Sequence, residues 1–463
     1  MNQTRRFVLT VFLAGTLFSL PSAVILAQTA AESGYGLIQG LMSVERKERR
    51  AAKEAILELG DKRLAAGIVD ALFFIPSRLR GEAFQTLEEL TGAKAGTSYW
   101  NWVEWVGSQT DLEPAPGYPE WKVTLLKLID DTYGRILYPG APLRIRLEEV
   151  VTGGVRVDGI PSLDFPNMIP VAEAKYLKED EEVFGVDIGG EQRAYPLRFL
   201  DWHEMLNDEV GGEPITLSYC TLCGSGILYA AKTPNGSRYT FATSGLLYRS
   251  NKLMFDRESY SLWSNLTGEP VIGRLARGTI QLEVLPMTRT TWKAWSERHP
   301  RTTVVARDAF DGDRWGFDYR PGKANEKRRG VSFPVWLEDS KLDRNDEVYA
   351  LVIDGVSKAY PLEQILELGL VHDRIGERAV VLVADAKSGA VRVYERGADQ
   401  QFEAQAEGLR DQQGRLYRLE EGQLVGDGLE PLARVPGHIS FWFGWYAFYP
   451  DTELYGSEAG GTG

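Results

Sequence analysis

A chain of 463 residues, 43% hydrophobic and 25% charged, has the composition of a folded protein with room for two or three domains. Its net charge of −13 argues against nucleic-acid binding and against an anionic membrane surface, both of which require basic patches. The only two cysteines, Cys220 and Cys223, are separated by two residues, so a bridge between them would close a tiny loop and constrain the unfolded chain little.

The N-terminus reads as an export signal. Arg5 and Arg6 precede an uncharged apolar run from Phe7 to Ala27, and small residues follow, so that cleavage after Ala27 or Ala31 is expected. Thr4-Arg5-Arg6-Phe7-Val8-Leu9 resembles a twin-arginine signal; an ordinary secretory signal and an uncleaved anchor are the alternatives. With the signal cleaved, no stable membrane span is expected, and the mature protein is periplasmic or secreted. There an unprotected thiol pair tends to oxidise.

Residues 32–135 read as helical. Ala51, Ala52, Ala55, Ile56 and Leu59 recur at helical spacing up to Gly60. Asp61 then caps a helix carrying Leu64, Ile68 and Leu72. Ser77 caps one carrying Ala83, Phe84, Leu87 and Leu90, ended by Gly92. Short helices with brief breaks suggest a HEAT-like stack. Trp100, Trp102 and Trp105 form a dense aromatic patch, read either as a core cap or as a docking surface for a partner or a sugar. A further amphipathic helix is expected from Glu120 to about Ile129.

From Ile136 onward the chain turns to short strands, and it repeats itself. Val183–Leu197 (VFGVDIGGEQRAYPL) and Val348–Leu362 (VYALVIDGVSKAYPL) are identical at seven of 15 positions, where composition alone gives roughly one. The same offset relates Asp208 to Asp373, Leu217 to Leu382, Gly224 to Gly389 and Tyr229 to Tyr394. Phe165-Pro166 matches Phe333-Pro334, and Trp292, Trp295, Pro300 and Thr302 match Trp442, Trp445, Pro450 and Thr452. The expected architecture is α+β. A signal (1–27) precedes an all-α HEAT-like region (32–135) and two tandemly duplicated, mostly β modules with short helices. These span 136–305 and 333–456, joined by a linker (306–332) and followed by a disordered tail (457–463).

The repeat isolates the chemistry. Pro214–Tyr229 (PITLSYCTLCGSGILY) predicts a hairpin with Cys220 and Cys223 at its tip, whereas a thioredoxin-like C-x-x-C opens a helix. In the second copy Cys220 becomes Asp385, Cys223 becomes Ser388 and His203 becomes Leu368, so these residues are better explained by function than by folding. Asp201–Asp208 is expected to be a short helix with His203 and Asn207 on one face and Glu204 and Asp208 on the next. Its H-E-x-x-N lacks the second histidine of a zincin site.

The leading reading is a soft-metal site, copper preferred to zinc, with Cys220, Cys223 and His203 as ligands and Met254 as a weak fourth. Glu204 or Asp208 would orient His203, and Asn207, Ser244, Tyr248 and Asp256 would complete the surroundings. The alternatives are thiol–disulfide exchange and a non-catalytic module that recruits a protein partner through its helices. The residues do not decide whether the protein is an enzyme. His438, ahead of the aromatic run Phe441–Phe448, is a further group able to close a site across the modules.

The strings WHEMLND, YCTLCGSGILY, SGLLYRSNKLMFDR and SLWSNLTGEPVIG, with Gly159-Ile160-Pro161 and Arg193-Ala194-Tyr195-Pro196-Leu197, resemble the bacterial domain-of-unknown-function family 3179 over roughly residues 140–455. The resemblance implies an exported bacterial protein and supplies no reaction.

Overall fold

The computed structural model describes residues 34–312, 319, 335–406 and 408–457. The expected signal, most of the expected linker and all but the first residue of the expected tail lie outside the described residues.

The first hundred described residues are helical: Tyr35–Leu41, Arg46–Leu59, Ala65–Phe74, Gly81–Thr91, Tyr99–Ser108, Tyr118–Leu126 and Tyr133–Ile136. Gly60 and Gly92 end their helices in the left-handed region, where a Cβ is costly. The Asp61 carboxylate accepts from Arg63 N and caps a short 3₁₀ turn, which leads into Ala65–Phe74. Ser77 differs from expectation: it lies in a separate 3₁₀ turn and caps nothing, and the next helix begins at Gly81. Trp102 is fully buried, with its indole N–H on Gly96 O at 2.8 Å, whereas Trp100 and Trp105 are half-buried.

The helices do not bury their apolar faces alone. Their core is continuous with Val150, Leu246, Leu253 and Phe255 of a five-stranded antiparallel sheet, Val150–Thr152, Phe241–Tyr248, Asn251–Asp256, Leu262–Ser264 and Pro270–Ile272 in spatial order. Residues 241–272 thus return to cover the helices across the expected boundary at 136. Among the described residues no helix is long and apolar enough to cross a membrane.

The remaining sheets carry helices and strands together, as an α+β chain should. Strands Glu182–Ile188 and Glu191–Pro196 lead into the helix Leu197–His203 and then the meander Met205–Val210, Glu213–Cys220 and Ser225–Ala230. Glu347–Ile353 and Val356–Pro361 lead likewise into Leu362–Leu368 and the meander Leu370–Ile375, Arg378–Asp385 and Ala390–Glu395. Thr303–Val305 runs parallel to Glu191–Pro196, and Glu453–Leu454 runs parallel to Val356–Pro361. Side chains repeat as well. Tyr195 donates to Asp208 at 2.8 Å and Tyr360 to Asp373 at 2.9 Å; Trp295 donates to Thr302, and Trp445 to Thr452, each at 2.9 Å. The two stretches diverge after the third meander strand. The first continues into the sheet under the helices, and the second into the short strands of residues 402–435, which complete an eight-stranded sheet.

The expected helix over Asp201–Asp208 is not formed. Glu204 adopts φ 58° and ends the helix at His203; Met205–Val210 is a strand paired with Glu213–Cys220, and Gly211-Gly212 form the hairpin turn between them. Tertiary pairing overrides the local pattern here: five of the six strand residues are buried, which a two-turn surface helix could not achieve.

Candidate functional site: a buried dithiol

The cysteines sit at the tip of the hairpin formed by Glu213–Cys220 and Ser225–Ala230, where Cys220 pairs with Ser225 and Gly224 turns at φ 61°. Both thiols are free and only 2% and 0% exposed. Three segments distant in sequence enclose them.

The first is the turn Arg249-Ser250, which joins Phe241–Tyr248 to Asn251–Asp256. Both of its central residues have positive φ, 48° and 57°, without being glycine. That conformation costs about 1–2 kcal/mol per residue and persists only where the surroundings enforce it. The Arg249 guanidinium is held by Glu149 at 2.9 Å and by Ala447 O at 2.7 Å. The result aims the Ser250 carbonyl at the thiols, where Cys223 Sγ donates to it at 3.0 Å and Cys220 Sγ lies 3.9 Å away.

The second segment is the C-terminal run. Phe441 N–H donates to Cys223 O at 2.8 Å, and Phe441, Phe443 and Ala447 form an apolar cluster with both cysteines and Val335. Gly444 packs so closely that a Cβ there would stand 2.9 Å from Cys223 Cβ and 3.2 Å from its sulfur.

The third supplies charge. Lys252 is 4% exposed; its ammonium donates to Glu204 O and contacts Met205 Sδ at 3.1 Å. Burial pushes it down to about 8, against the opposing pull of Glu204 and Cys220. Burial also works to raise the Cys220 thiol. The neighbouring Cys223, the Lys252 backbone N–H and the Lys252 charge outweigh it, and Cys220 lies below the ordinary thiol value. Cys223 is pushed well above that value by burial and by the neighbouring Cys220. The pair therefore holds one thiolate-prone sulfur and one proton-retaining sulfur. A cavity of about 160 Å3 lies beside the hairpin turn, with Glu204, Thr221, Leu222, Ser244, Lys252 and Leu253 in its wall and neither cysteine among its lining residues.

The other expected site residues are dispersed. His203 Nδ1 is 2.7 Å from Pro161 O and Nε2 is 2.6 Å from Tyr319 Oη, and the ring packs against Phe310. Among the described residues no three His, Cys, Asp or Glu side chains form a group able to hold a metal, so Cys220, Cys223 and His203 are not such a set. Met254 is fully buried with Met205, Tyr229 and Trp263 in an apolar core. Asp208 is bonded to Arg193 and Tyr195, and Asn207 to Asp164 and the Phe241 backbone. Asp256 accepts from Ser259 and Trp263 in a tight turn, and Tyr248 packs on Phe448. Glu204 and Ser244 alone of the expected surroundings reach the cavity. His438 is buried against Trp445, and burial depresses it to about 4. At the equivalent hairpin of the second stretch, Ser388 Oγ donates to Asp385 Oδ2 at 2.6 Å, so an Asp–Ser hydrogen bond stands at the positions of the two cysteines.

The family model for proteins of unknown function (DUF3179) matches residues 157–452. The chain belongs to the DUF3179 family. No curated protein and no solved structure matches it. The DUF3179 match contains the hairpin, the Arg249-Ser250 turn and the run over Cys223, and leaves the N-terminal helices outside. Sequence reasoning missed Lys252, Ser250 and Gly444. A charged residue directly before the apolar triplet Leu253-Met254-Phe255 was the available signal for Lys252; nothing local marks the other two.

Proposed function

We propose that this DUF3179 protein binds one soft metal ion, copper(I) in preference to zinc, through Cys220 and Cys223, with Lys252 as the buried counter-charge. The supporting observation is the pair itself: two sulfurs at one hairpin tip, both facing the Ser250 carbonyl and closed off from solvent, beside a buried ammonium. Soft thiolates select Cu(I), which is satisfied by two of them, whereas a closed zinc site takes four ligands. Two thiolates around Cu(I) leave one negative charge, which Lys252 offsets where water cannot. His203 is left out of the ligand set, because both ring nitrogens already have partners. Anaerobic Cu(I) titration against a colorimetric chelator tests this. Wild type should retain about one copper per chain, Cys220→Ser should lose it while folded, and His203→Ala should keep it. Wild type that stays copper-free with reduced thiols would overturn the proposal.

A second reading is favoured by the unequal thiols: Cys220 attacks and Cys223 resolves in a dithiol–disulfide couple. Burial restricts the oxidant to a small molecule, which takes up the two electrons while both thiol protons leave. Export through the N-terminal signal, a HEAT-like stacking of the helices and a tandem duplication of the β modules belong to the same proposal. The matched Tyr–Asp and Trp–Thr hydrogen bonds support the duplication.

A further inference from the structure

The cavity of about 160 Å3 beside the cysteine hairpin turn is close in size to an apolar cavity that takes one benzene, about 150 Å3. Its wall is mostly hydrocarbon, from Val155, Ile160, Leu222, Leu246, Leu247 and Leu253. Two charged residues interrupt it, Lys252 and Glu204, one of each sign. An ammonium carries three N–H donors. Two of those on Lys252 go to Glu204 O and Met205 Sδ, and the third has no partner among the described residues. The Glu204 carboxylate is close enough to oppose the effect of burial on Lys252. Thr221 Oγ1 donates to it at 3.5 Å, and a carboxylate has about four lone-pair sites to offer.

The second stretch shows what the backbone alone needs at this place. Glu204 follows the helix Leu197–His203 with φ 58°, and Gly369 follows the equivalent helix Leu362–Leu368 with φ 70°. Glycine has no Cβ to clash in that left-handed conformation, so it is the residue the turn itself favours. The first stretch keeps a glutamate there against that preference. Two further wall residues differ in the same way. Thr221 and Leu222 are half-buried in the hairpin turn, whereas Ala386 and Lys387 at the equivalent positions are exposed. The shared turns therefore form without the acid, the hydroxyl or the apolar cover, and these three belong to the cavity. Opposite charges in a mostly apolar cavity select a neutral ligand, since an anion would meet Glu204 and a cation would meet Lys252 with little water to screen either. An open N–H beside a carboxylate is matched by a hydroxyl, which accepts from one and donates to the other.

We infer that this cavity binds a neutral alcohol or phenol of about benzene size, its hydrocarbon body among the leucines and its hydroxyl between Lys252 and Glu204. Such binding requires neither metal nor thiol chemistry and stands apart from the copper proposal. The test is calorimetry and ligand-observed NMR on the full chain, with phenol and cyclohexanol as probes and toluene, benzoate and benzylammonium as controls. Saturable binding of phenol or cyclohexanol is expected, with each control about tenfold weaker or more, the worth of a hydrogen bond to a charged group. Glu204→Gly installs the residue that the second stretch has in this backbone conformation, so it should fold and lose about tenfold in affinity. Lys252→Met should lose as much, and Cys220→Ser should bind as wild type does. No saturable binding of either probe, toluene bound as tightly as phenol, unchanged affinity in both Glu204→Gly and Lys252→Met, or loss of binding in Cys220→Ser would overturn it.

Discussion

Replacing Glu421 with glutamine keeps the shape of that side chain and removes its charge, and the structure sets the cost. Glu421 is 4% exposed at a junction of the two repeated stretches. It faces Arg392 at 2.7 Å and Arg434 at 3.4 Å from its own half, and Arg298 at 3.3 Å and His299 at 3.4 Å from the other. It also accepts from Thr288 Oγ1 at 2.7 Å. Glutamine removes the carboxylate that pairs with the Arg392 and Arg434 guanidiniums, 9% and 1% exposed. Removing one member of a buried pair costs about 3–5 kcal/mol. For a unit of this size that corresponds to a fall in Tm of about 10 °C. The pH dependence carries a second signature. Burial works to raise the Glu421 carboxyl, but Arg392, His299 and Arg434 outweigh it and hold the carboxyl well below its ordinary value. A depressed carboxyl contributes stability that is fully present above the unfolded value, about 4.3, and is lost as pH falls through the folded one. Wild type should therefore lose stability as the pH drops below about 4, and Glu421→Gln should lack that part of the acid limb. Urea unfolding followed by tryptophan fluorescence from pH 3 to pH 8 reads both effects. A loss at pH 7 below about 1 kcal/mol, the scale of an exposed ion pair, would refute the reasoning.

Lys252→Met removes a charge that lowers Cys220, so the pH midpoint of Cys220 alkylation by a small reagent should move up; an unmoved midpoint would show that Lys252 does not act on the thiol. Ser250→Gly keeps the carbonyl that faces the thiols and relieves a positive φ, and thermal melts should show a gain of about 1 kcal/mol, whereas a loss would mean the turn is not strained. Gly444→Ala places a methyl 2.9 Å from Cys223 Cβ and should cost about 1–3 kcal/mol in denaturant titration; a neutral result would place the C-terminal run away from the thiols.

The enclosure of the dithiol gives the second stretch a part in the site although it has no thiols of its own. Its Phe441 hydrogen-bonds the Cys223 backbone, Gly444 packs on the Cys223 side chain, and Ala447 anchors Arg249. A buried ion-pair cluster at Glu421 and an apolar wall at Phe441 thus both span the two stretches.

What the sequence by itself determined is local or periodic. Helical spacing and the stop signals Gly60 and Gly92 located the helices, because a left-handed residue after an amphipathic run needs no distant partner. Alternation and turn glycines located the cysteine hairpin, whose two thiols share one tip because its strands pair in register up to Cys220 and Ser225. The family followed from strings of residues. The tertiary structure alone decided the rest. Met205–Val210 became a strand because pairing with Glu213–Cys220 buries it, and this broke the helical face that would have joined His203 to Asn207. His203 turned to Pro161 and Tyr319, and Met254 joined the core, since backbone direction and not distance along the chain determines where a side chain points. Lys252, the Ser250 carbonyl and Gly444 reach the thiols from 27 to 221 residues away in sequence, and no pattern within any one segment encodes a meeting that only the packing of three segments creates.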